Sequence, residues 1–312
     1  MTTLTQSNVA VIGRWLGQRL AARRLRIGIW LLAVVAATFG IAVSSKVGPM
    51  AGLLPGTMGV LAIFGAALVC EFIDSSLGMG YGTTLTPLLL LAGFHPLQIV
   101  PAVLMSEFAT GLLAAVFHHR DGNVDFVNDT HVRRTALLLS LLSGAGAILA
   151  VCVALSLPKT LLTGIISGIV LAMGVIILAT THRRIRYRPA NIVALGAVAA
   201  FNKGLSGGGY GPLVTSGQVL SGLSPKQAVA VTSLAESVTC LIGLLAYTAA
   251  RTFFGSGEQD WSLALPLTCG ACLSVPMSTL VVRAIPGRVL RLAVGVATCL
   301  LALLAFGKLL LI

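Results

Sequence analysis

The amino-acid sequence predicts an all-α polytopic membrane protein, with one extra N-terminal helix followed by two homologous, inverted repeats. Three observations support this fold class: the composition, the lengths of the apolar segments and a self-similarity within the chain. Of the 312 residues, 56% are hydrophobic and only 10% are charged. A soluble globular chain carries about 25% charged residues, and a disordered chain is poor in hydrophobic ones, so the composition excludes both classes.

The net charge of +12 comes from 21 basic and 9 acidic residues. The basic residues lie in short clusters between apolar segments, as they do in the cytoplasmic loops of membrane proteins. We therefore expect the lipid bilayer and not nucleic acid as a partner, and the sequence leaves a homo-oligomer open. The six cysteines lie within apolar segments, which predicts small buried side chains and neither a metal site nor a disulfide framework.

The first two elements are a basic segment, residues 1–26, and the apolar segment 27–44. We expect a cytoplasmic N-terminus followed by an extra, uncleaved transmembrane helix. A signal peptide is the alternative, but its apolar part is usually shorter, and 42–44 is only a weak cleavage site.

Ten further apolar segments follow. Two of them, 83–92 and 212–221, have only about ten residues, and a helix of that length spans about 15 Å, half of a bilayer. A glycine-rich break precedes each of these two segments. The remaining segments are longer: 56–73, 97–118, 135–157, 160–181, 190–203, 226–249, 262–283 and 288–311.

The chain matches itself without a gap when it is shifted by 129 residues. The shift superposes the glycines and the tyrosine of the two breaks and one acidic residue of each half: Gly78 on Gly207, Gly80 on Gly209, Tyr81 on Tyr210, Gly82 on Gly211 and Glu107 on Glu236. A tandem duplication explains this match and predicts a first repeat over 56–181 and a second over 190–311. Each repeat would contain a glycine-broken helical hairpin and three spanning helices. Broken helices at matching places in two halves point to the substrate site of a transporter.

The distribution of Lys and Arg predicts the orientation, because these residues favour cytoplasmic loops. With the N-terminus inside and 56–92 as a hairpin that adds no crossing, the basic loops 118–134 and 183–188 lie inside and the loop 251–261 lies outside. An odd number of crossings per repeat then inverts the second repeat. If each broken segment were a single span, the repeats would be parallel. We expect a multi-pass protein of the bacterial inner (plasma) membrane.

Several short motifs resemble a known family. In chain order they are 77–82 with its glycine-rich break, Pro87, Gly93, Pro96, 122–125, 206–212, 222–225 and 229–233. Over about residues 56–311 they resemble the sulfite exporter TauE/SafE family, from which the chain departs at Met79, where a third glycine is usual, and at 104–105. The resemblance implies a membrane transporter of anions, mostly sulfite or small organosulfonates, and therefore a small anionic substrate as a partner.

Four acidic residues fall within apolar segments: Glu71, Asp74, Glu107 and Glu236. Each costs about 2.5–3.5 kcal/mol at the centre of a membrane helix, a cost that is not expected without a use. The depth of Glu107 and Glu236 places them near mid-membrane, where a carboxyl group can exchange protons. The hypothesis is proton coupling, and the alternative is a protonated Glu that hydrogen-bonds a neighbouring helix.

Lys203 is the basic residue that lies well inside an apolar segment near a glycine break. The 129-residue shift pairs it with Asp74, which predicts either an anion-binding cation or an ion pair between the two. A purely structural salt bridge is the alternative. Asn202 beside it could donate further hydrogen bonds to an anion.

The glycine breaks are candidates for substrate binding through their backbone. Without a Cβ, successive N–H groups can point at one anion, and half-helix N-termini at Thr83 and Pro212 would add partial positive charge. The tyrosines of the breaks could bind a sulfonate oxygen or form a cavity wall. The candidate residues are Gly78, Gly80, Tyr81, Gly82, Gly207, Gly208, Gly209, Tyr210 and Gly211.

The favoured function is a secondary transporter or exporter of a small oxyanion such as sulfite or an organosulfonate, with proton coupling as a hypothesis. A channel or carrier for a cation or neutral solute remains an alternative, because four acidic residues accompany one Lys. An intramembrane enzyme is disfavoured, because no Ser-His or paired-Asp motif adjoins a break. We expect no cofactor and no catalytic residue, and interpret His118 and His119 as the end of a helix at the membrane interface.

Overall fold

The structure is a computed structural model that describes residues 56–180, 189–220, 223–254, 260–281 and 287–310. In these ranges the chain is helical, and no β-strand is present there. The predicted N-terminal elements, 1–26 and 27–44, lie outside the described residues. In chain order the helices are α1 (Gly56–Leu77), α2 (Tyr81–Leu91), α3 (Pro96–Arg120), α4 (Thr130–Ser156), α5 (Lys159–Thr180), α6 (Pro189–Ser206), α7 (Tyr210–Leu220), α8 (Pro225–Phe254), α9 (Ala264–Val281) and α10 (Gly287–Leu310).

Local sequence determines where several of these helices begin. Pro96 occupies the first turn of α3, where its missing N–H is not needed, and His95 is the N-cap. The Asp129 side chain caps α4 by accepting from two backbone N–H groups. Ser224 and Gln227 form a capping box before α8, in which each side chain binds the other's backbone N–H.

The described helices agree with a polytopic membrane protein. By length and composition, five of them could cross a membrane, namely α1, α3, α4, α5 and α8. α3 and α8 are central, because 67% of the most apolar window of each is buried, against 41% for α4 and 39% for α5. Leu141 on α4 is 76% exposed, as expected of a side chain that faces lipid. The predicted all-α class is confirmed over the described residues.

The two half-length helices lie where the sequence predicts them, and each has 11 residues. Two glycines with positive φ end the preceding helix at each break: Gly78 (70°) and Gly80 (133°) before α2, and Gly207 (72°) and Gly209 (85°) before α7. Side chains rarely adopt these backbone angles, so glycine is required to turn the chain there.

The main helix contacts join the part of the chain before residue 181 to the part after residue 188. α1 packs along α9 and α6 along α4, while α3 packs along α8 and α5 along α10. This interleaving brings the two glycine breaks together in the interior, between the central helices.

Candidate transport site

The two glycine breaks contact each other directly and reciprocally. A Cβ atom on Gly82 would overlap the carbonyl oxygen of Gly207, and a Cβ atom on Gly211 would overlap the carbonyl oxygen of Gly78. Gly82 and Gly211 are 129 residues apart, as are Gly78 and Gly207, so the same contact is made twice with the two partners exchanged. The backbones can approach this closely because neither position carries a side chain.

Two buried threonines hydrogen-bond across this crossing. Thr86 Oγ1 on α2 donates to the carbonyl oxygen of Ser206 at 2.9 Å, and Thr215 Oγ1 on α7 donates to that of Gly78, also at 2.9 Å. Carbonyl groups at a helix end lack intrahelical partners. Each half-helix therefore supplies a donor to the broken helix of the other half, which joins the two breaks into one unit.

The N-termini of α2 and α7 also meet at this crossing. A Cβ atom on Gly208 would lie 2.7 Å from the backbone nitrogen of Thr83, which places the start of one half-helix beside the other. Free N–H groups give a helix N-terminus a partial positive charge. A carboxylate already uses one of them, because Asp74 Oδ1 accepts from the backbone N–H of Tyr81 at 3.2 Å.

Beside the crossing, three charged side chains from three helices form a buried triad. The ammonium group of Lys203 on α6 contacts the carboxyl group of Glu107 on α3, and its Nζ lies 2.8 Å from Glu236 Oε1 on α8. The exposed fraction of these side chains is 1% for Lys203, 4% for Glu107 and 7% for Glu236. The two acidic residues that the repeat superposes thus share one cation.

The structure does not form the direct ion pair between Asp74 and Lys203 that the sequence predicts. The ion-pair partners of Lys203 among the described residues are Glu107 and Glu236, and Asp74 interacts with Lys203 only as a nearby charge. The reason is geometric: α3 and α8 pack along each other and present both carboxyl groups to the long Lys203 side chain. Asp74 instead accepts from the N-terminus of α2.

Glu71 is a member of the acidic cluster that the predicted site set omits. It lies three residues before Asp74 on α1 and is 2% exposed. Its Oε1 accepts from Ser75 Oγ at 2.5 Å, whereas its Oε2 has no hydrogen-bond partner among the described residues. Glu71 interacts electrostatically with Asp74, Glu107 and Glu236. The i, i+3 spacing of two acidic residues in one apolar segment was the available signal, because such residues share a helix face.

The remaining predicted residues line the same region. The glycines of both breaks are buried, and Asn202 is buried against Gly209. The tyrosine hydroxyls already have protein partners: Tyr81 with Ser106 at 2.8 Å and Tyr210 with Ser143 at 3.0 Å. These contacts favour the interpretation of the tyrosines as a cavity wall.

The two histidines at the end of α3 differ in their surroundings. His118 is fully buried, which corrects the interface position that the sequence analysis gave it. His119 is partly buried and its Nδ1 lies 3.2 Å from the carbonyl oxygen of Val124. His118 is buried because its ring reaches the end of α1, whose exposed carbonyl groups need a donor.

Comparison with known proteins places this arrangement in a family. The family model described as "Sulfite exporter TauE/SafE" matches residues 62–305, a range that includes both glycine breaks and the whole charged triad. The chain belongs to the TauE/SafE sulfite exporter family. Its predicted resemblance to that family is therefore confirmed, and it is a membrane transporter by family.

A relative supports the same assignment. The "Probable membrane transporter protein YtnM" of Bacillus subtilis (strain 168) is 29% identical to this TauE/SafE family member over 244 residues, which cover 73% of this chain and 76% of the relative. No solved structure matches the chain.

The charge balance of this TauE/SafE site is unusual for a membrane interior. Four buried carboxyl groups accompany the single ammonium group of Lys203, so full ionisation would leave the cluster strongly negative. Uncompensated charge in a low-dielectric interior is costly. The cluster can lower that cost by taking up protons, and among the described residues no group of His, Cys, Asp and Glu is arranged to hold a metal ion.

Proposed function

We propose that this TauE/SafE family member is a secondary transporter of a small oxyanion, sulfite or a short organosulfonate, and that Glu107 and Glu236 couple anion movement to protons. The observation that carries the proposal is the triad in which Lys203 is shared between these two carboxyl groups. We place the protein in the bacterial plasma membrane with a cytoplasmic N-terminus. We assign it no catalytic reaction and no cofactor.

Positive potential for an anion comes from two sources in this site. Lys203 supplies a full charge, and the N-termini of α2 and α7 supply partial charges and free N–H groups at the glycine crossing. An oxyanion that leaves water needs compensation of this kind, because an unpaired buried charge is costly. Both sources lie at the crossing of the broken helices, which in transporters is where substrates bind.

Coupling follows from competition for Lys203. With both Glu107 and Glu236 ionised, the ammonium group is already neutralised and an anion gains little by approaching it. A proton on either carboxyl group weakens its hold on Lys203 and frees positive charge for the anion. Proton binding and anion binding therefore favour each other, so the two move in the same direction and the gradients set the net direction of transport.

Two inverted repeats provide the framework for this mechanism in our proposal. The bounds of α2 and α7 coincide after a shift of 129 residues, as do the starts of α3 and α8, and the contacts between the breaks are reciprocal. Reciprocal contacts are typical of a two-fold relationship. We place the axis in the membrane plane, because the loop charges favour an odd number of crossings per repeat.

Reporter fusions test the inversion directly. Fusions after Arg188 and after Ser256 are expected to report opposite sides of the membrane. Both reporters on the same side would show that the repeats are parallel.

A second candidate function is a carrier for a cation, which the four buried carboxyl groups favour. Purified protein in liposomes separates the two candidates. We expect uptake of radiolabelled sulfite that is stimulated by a pH gradient and no uptake of labelled sodium or rubidium. Lys203→Ala should abolish the sulfite signal, whereas Lys308→Ala, which removes an exposed lysine, should retain it. Cation uptake without sulfite uptake would overturn the proposal.

A further inference from the structure

Side chains from the third helix of each half cap the ends of the broken helices. The imidazole Nε2 of His118 on α3 lies 3.1 Å from the carbonyl oxygen of Ser75 on α1. The hydroxyl of Tyr247 on α8 donates to the carbonyl oxygen of Gly204 on α6 at 3.0 Å. His118 and Tyr247 are both fully buried.

These two contacts are equivalent under the internal shift, although the residues differ. His118 and Tyr247 are 129 residues apart, and so are Ser75 and Gly204. A comparison of identical residues does not reveal this pair, because one half uses an imidazole and the other a phenol for the same bond.

The capped carbonyl groups directly follow two charged residues of the site. At the first break the N–H of Gly78 donates to the carbonyl oxygen of Asp74 at 2.6 Å, and at the second the N–H of Gly207 donates to that of Lys203 at 2.8 Å. His118 and Tyr247 then satisfy the next carbonyl group in each helix. A helix end leaves its last carbonyl groups without intrahelical partners, so these bonds complete both ends.

The ring of His118 is held in one orientation. Its Nδ1 accepts from Asn123 Nδ2 at 3.0 Å, and the same amide group donates to the carbonyl oxygen of Thr279 on α9 at 3.2 Å. Because an amide nitrogen only donates, this network requires a neutral ring with its proton on Nε2. That proton is the one that Ser75 accepts.

Each cap also links two helices that carry charged residues of the site. α3 carries both Glu107 and His118, and α8 carries both Glu236 and Tyr247; the members of each pair are eleven residues apart. Eleven residues make three helical turns, so the members of a pair lie on one face of their helix. A shift of the cap therefore changes the position of one charged helix relative to the other.

We propose that His118 and Tyr247 are matched positioning residues, which fix Asp74 and Lys203 relative to Glu107 and Glu236 by holding the ends of α1 and α6. The consequence for transport rests on the proposed function, whereas the consequence for the breaks does not. Loss of a cap should loosen the break that it holds and leave the other break intact.

Hydrogen–deuterium exchange of the purified, full-length protein tests the positioning role without any substrate. We expect His118→Leu to raise amide exchange over residues 74–82 about five- to tenfold, as expected for the loss of one buried hydrogen bond, and to leave 203–211 unchanged. Tyr247→Phe, which removes only the hydroxyl group, should do the reverse. His118→Gln should restore slow exchange, because its side-chain amide can donate to Ser75.

His119→Leu and Thr248→Val are the matched controls, because they alter the adjacent residues of the same helices and should leave both breaks unchanged. Unchanged exchange at both breaks in His118→Leu and Tyr247→Phe would overturn the proposal. So would a uniform increase along the chain, and Tyr247→Phe decides the matter if His118→Leu does not fold.

Sulfite flux provides a second, separate readout. We expect His118→Leu and Tyr247→Phe to lower the maximal rate at least tenfold with an unchanged melting temperature, and His118→Gln to recover most of it. If the unaltered protein transports no anion, the proposed function fails, while the exchange measurements still decide the role of the caps.

Discussion

Glu107 and Glu236 contact the same ammonium group, although they lie 129 residues apart in the chain and on different helices. Two like charges at equivalent positions can share a low-dielectric interior only if a cation or a proton separates them. Lys203 is that cation, and the position equivalent to it in the first half is the acidic Asp74. The site therefore combines a symmetric pair of acids with an asymmetric pair of opposite charges.

The stability of the protein should depend on Lys203 in a pH-dependent manner. Lys203→Met keeps the apolar stem but leaves two buried carboxylates without their cation, and breaking a buried pair in this way costs about 3–5 kcal/mol. Protonation of the carboxyl groups removes this penalty. We expect a melting temperature far below that of the unaltered protein at pH 8 and a smaller difference at pH 5, measured by thermal unfolding in detergent.

Lys308→Met is the control for that experiment, because Lys308 is exposed and its loss should change the melting temperature little at either pH. A Lys203→Met protein whose stability loss is the same at both pH values would contradict the role of Lys203 as the shared counter-ion.

Neutralising one acid of the pair should remove the pH dependence of transport. In the unaltered protein, flux of methanesulfonate, whose charge is constant near neutral pH, should rise as the pH falls, by at most tenfold per pH unit for one bound proton. Glu236→Gln mimics the protonated state, so its flux should be nearly constant between pH 6 and 8. Flux into liposomes at a series of pH values measures this directly.

Asp125→Asn provides the matched control. Asp125 is exposed in the connection between α3 and α4, and hydrogen bonds from the backbone and side chain of Asn128 lower its pKa below the usual value. It stays ionised across this pH range, so its variant should keep the original pH profile. If Glu107→Gln and Glu236→Gln both keep that profile as well, the two carboxyl groups are structural.

The close contact of the glycine breaks should tolerate no side chain at Gly82 or Gly211. A methyl group at either position would overlap a backbone carbonyl group of the other break, and backbone cannot move aside as a flexible side chain can. We expect Gly82→Ala and Gly211→Ala to lose most of the folded protein in size-exclusion chromatography of a fluorescent fusion.

Gly168→Ala is the comparison for those variants, because a Cβ atom at Gly168 meets nothing within 4 Å and alanine favours a helix by about 1 kcal/mol over glycine. It should fold at least as well as the unaltered protein. A Gly82→Ala protein that folds normally would show that the two breaks are further apart than the structure has them.

The glycine breaks and the buried charges could be predicted from sequence because their cost is visible in it. Lys203 and the acids each stand out within an apolar segment, where an ionisable residue is costly. The choice of partner was not predictable in this way. Asp74 and Lys203 are equivalent in sequence, yet Lys203 binds Glu107 and Glu236, because the packing of α3 against α8 determines which carboxyl groups it can reach.

The two threonine hydrogen bonds should contribute to the crossing separately from the glycines. Thr86→Val and Thr215→Val keep the side-chain volume but leave the carbonyl group of Ser206 or Gly78 without the donor that it has in the structure. An unsatisfied buried group costs about 1–3 kcal/mol. Each variant should lower the melting temperature by several degrees, and the effects should not be additive, because both bonds hold the same pair of breaks. Thr135→Val, at an exposed position on α4, should have little effect. Strict additivity in the double variant would mean that the two breaks loosen independently and do not form one unit.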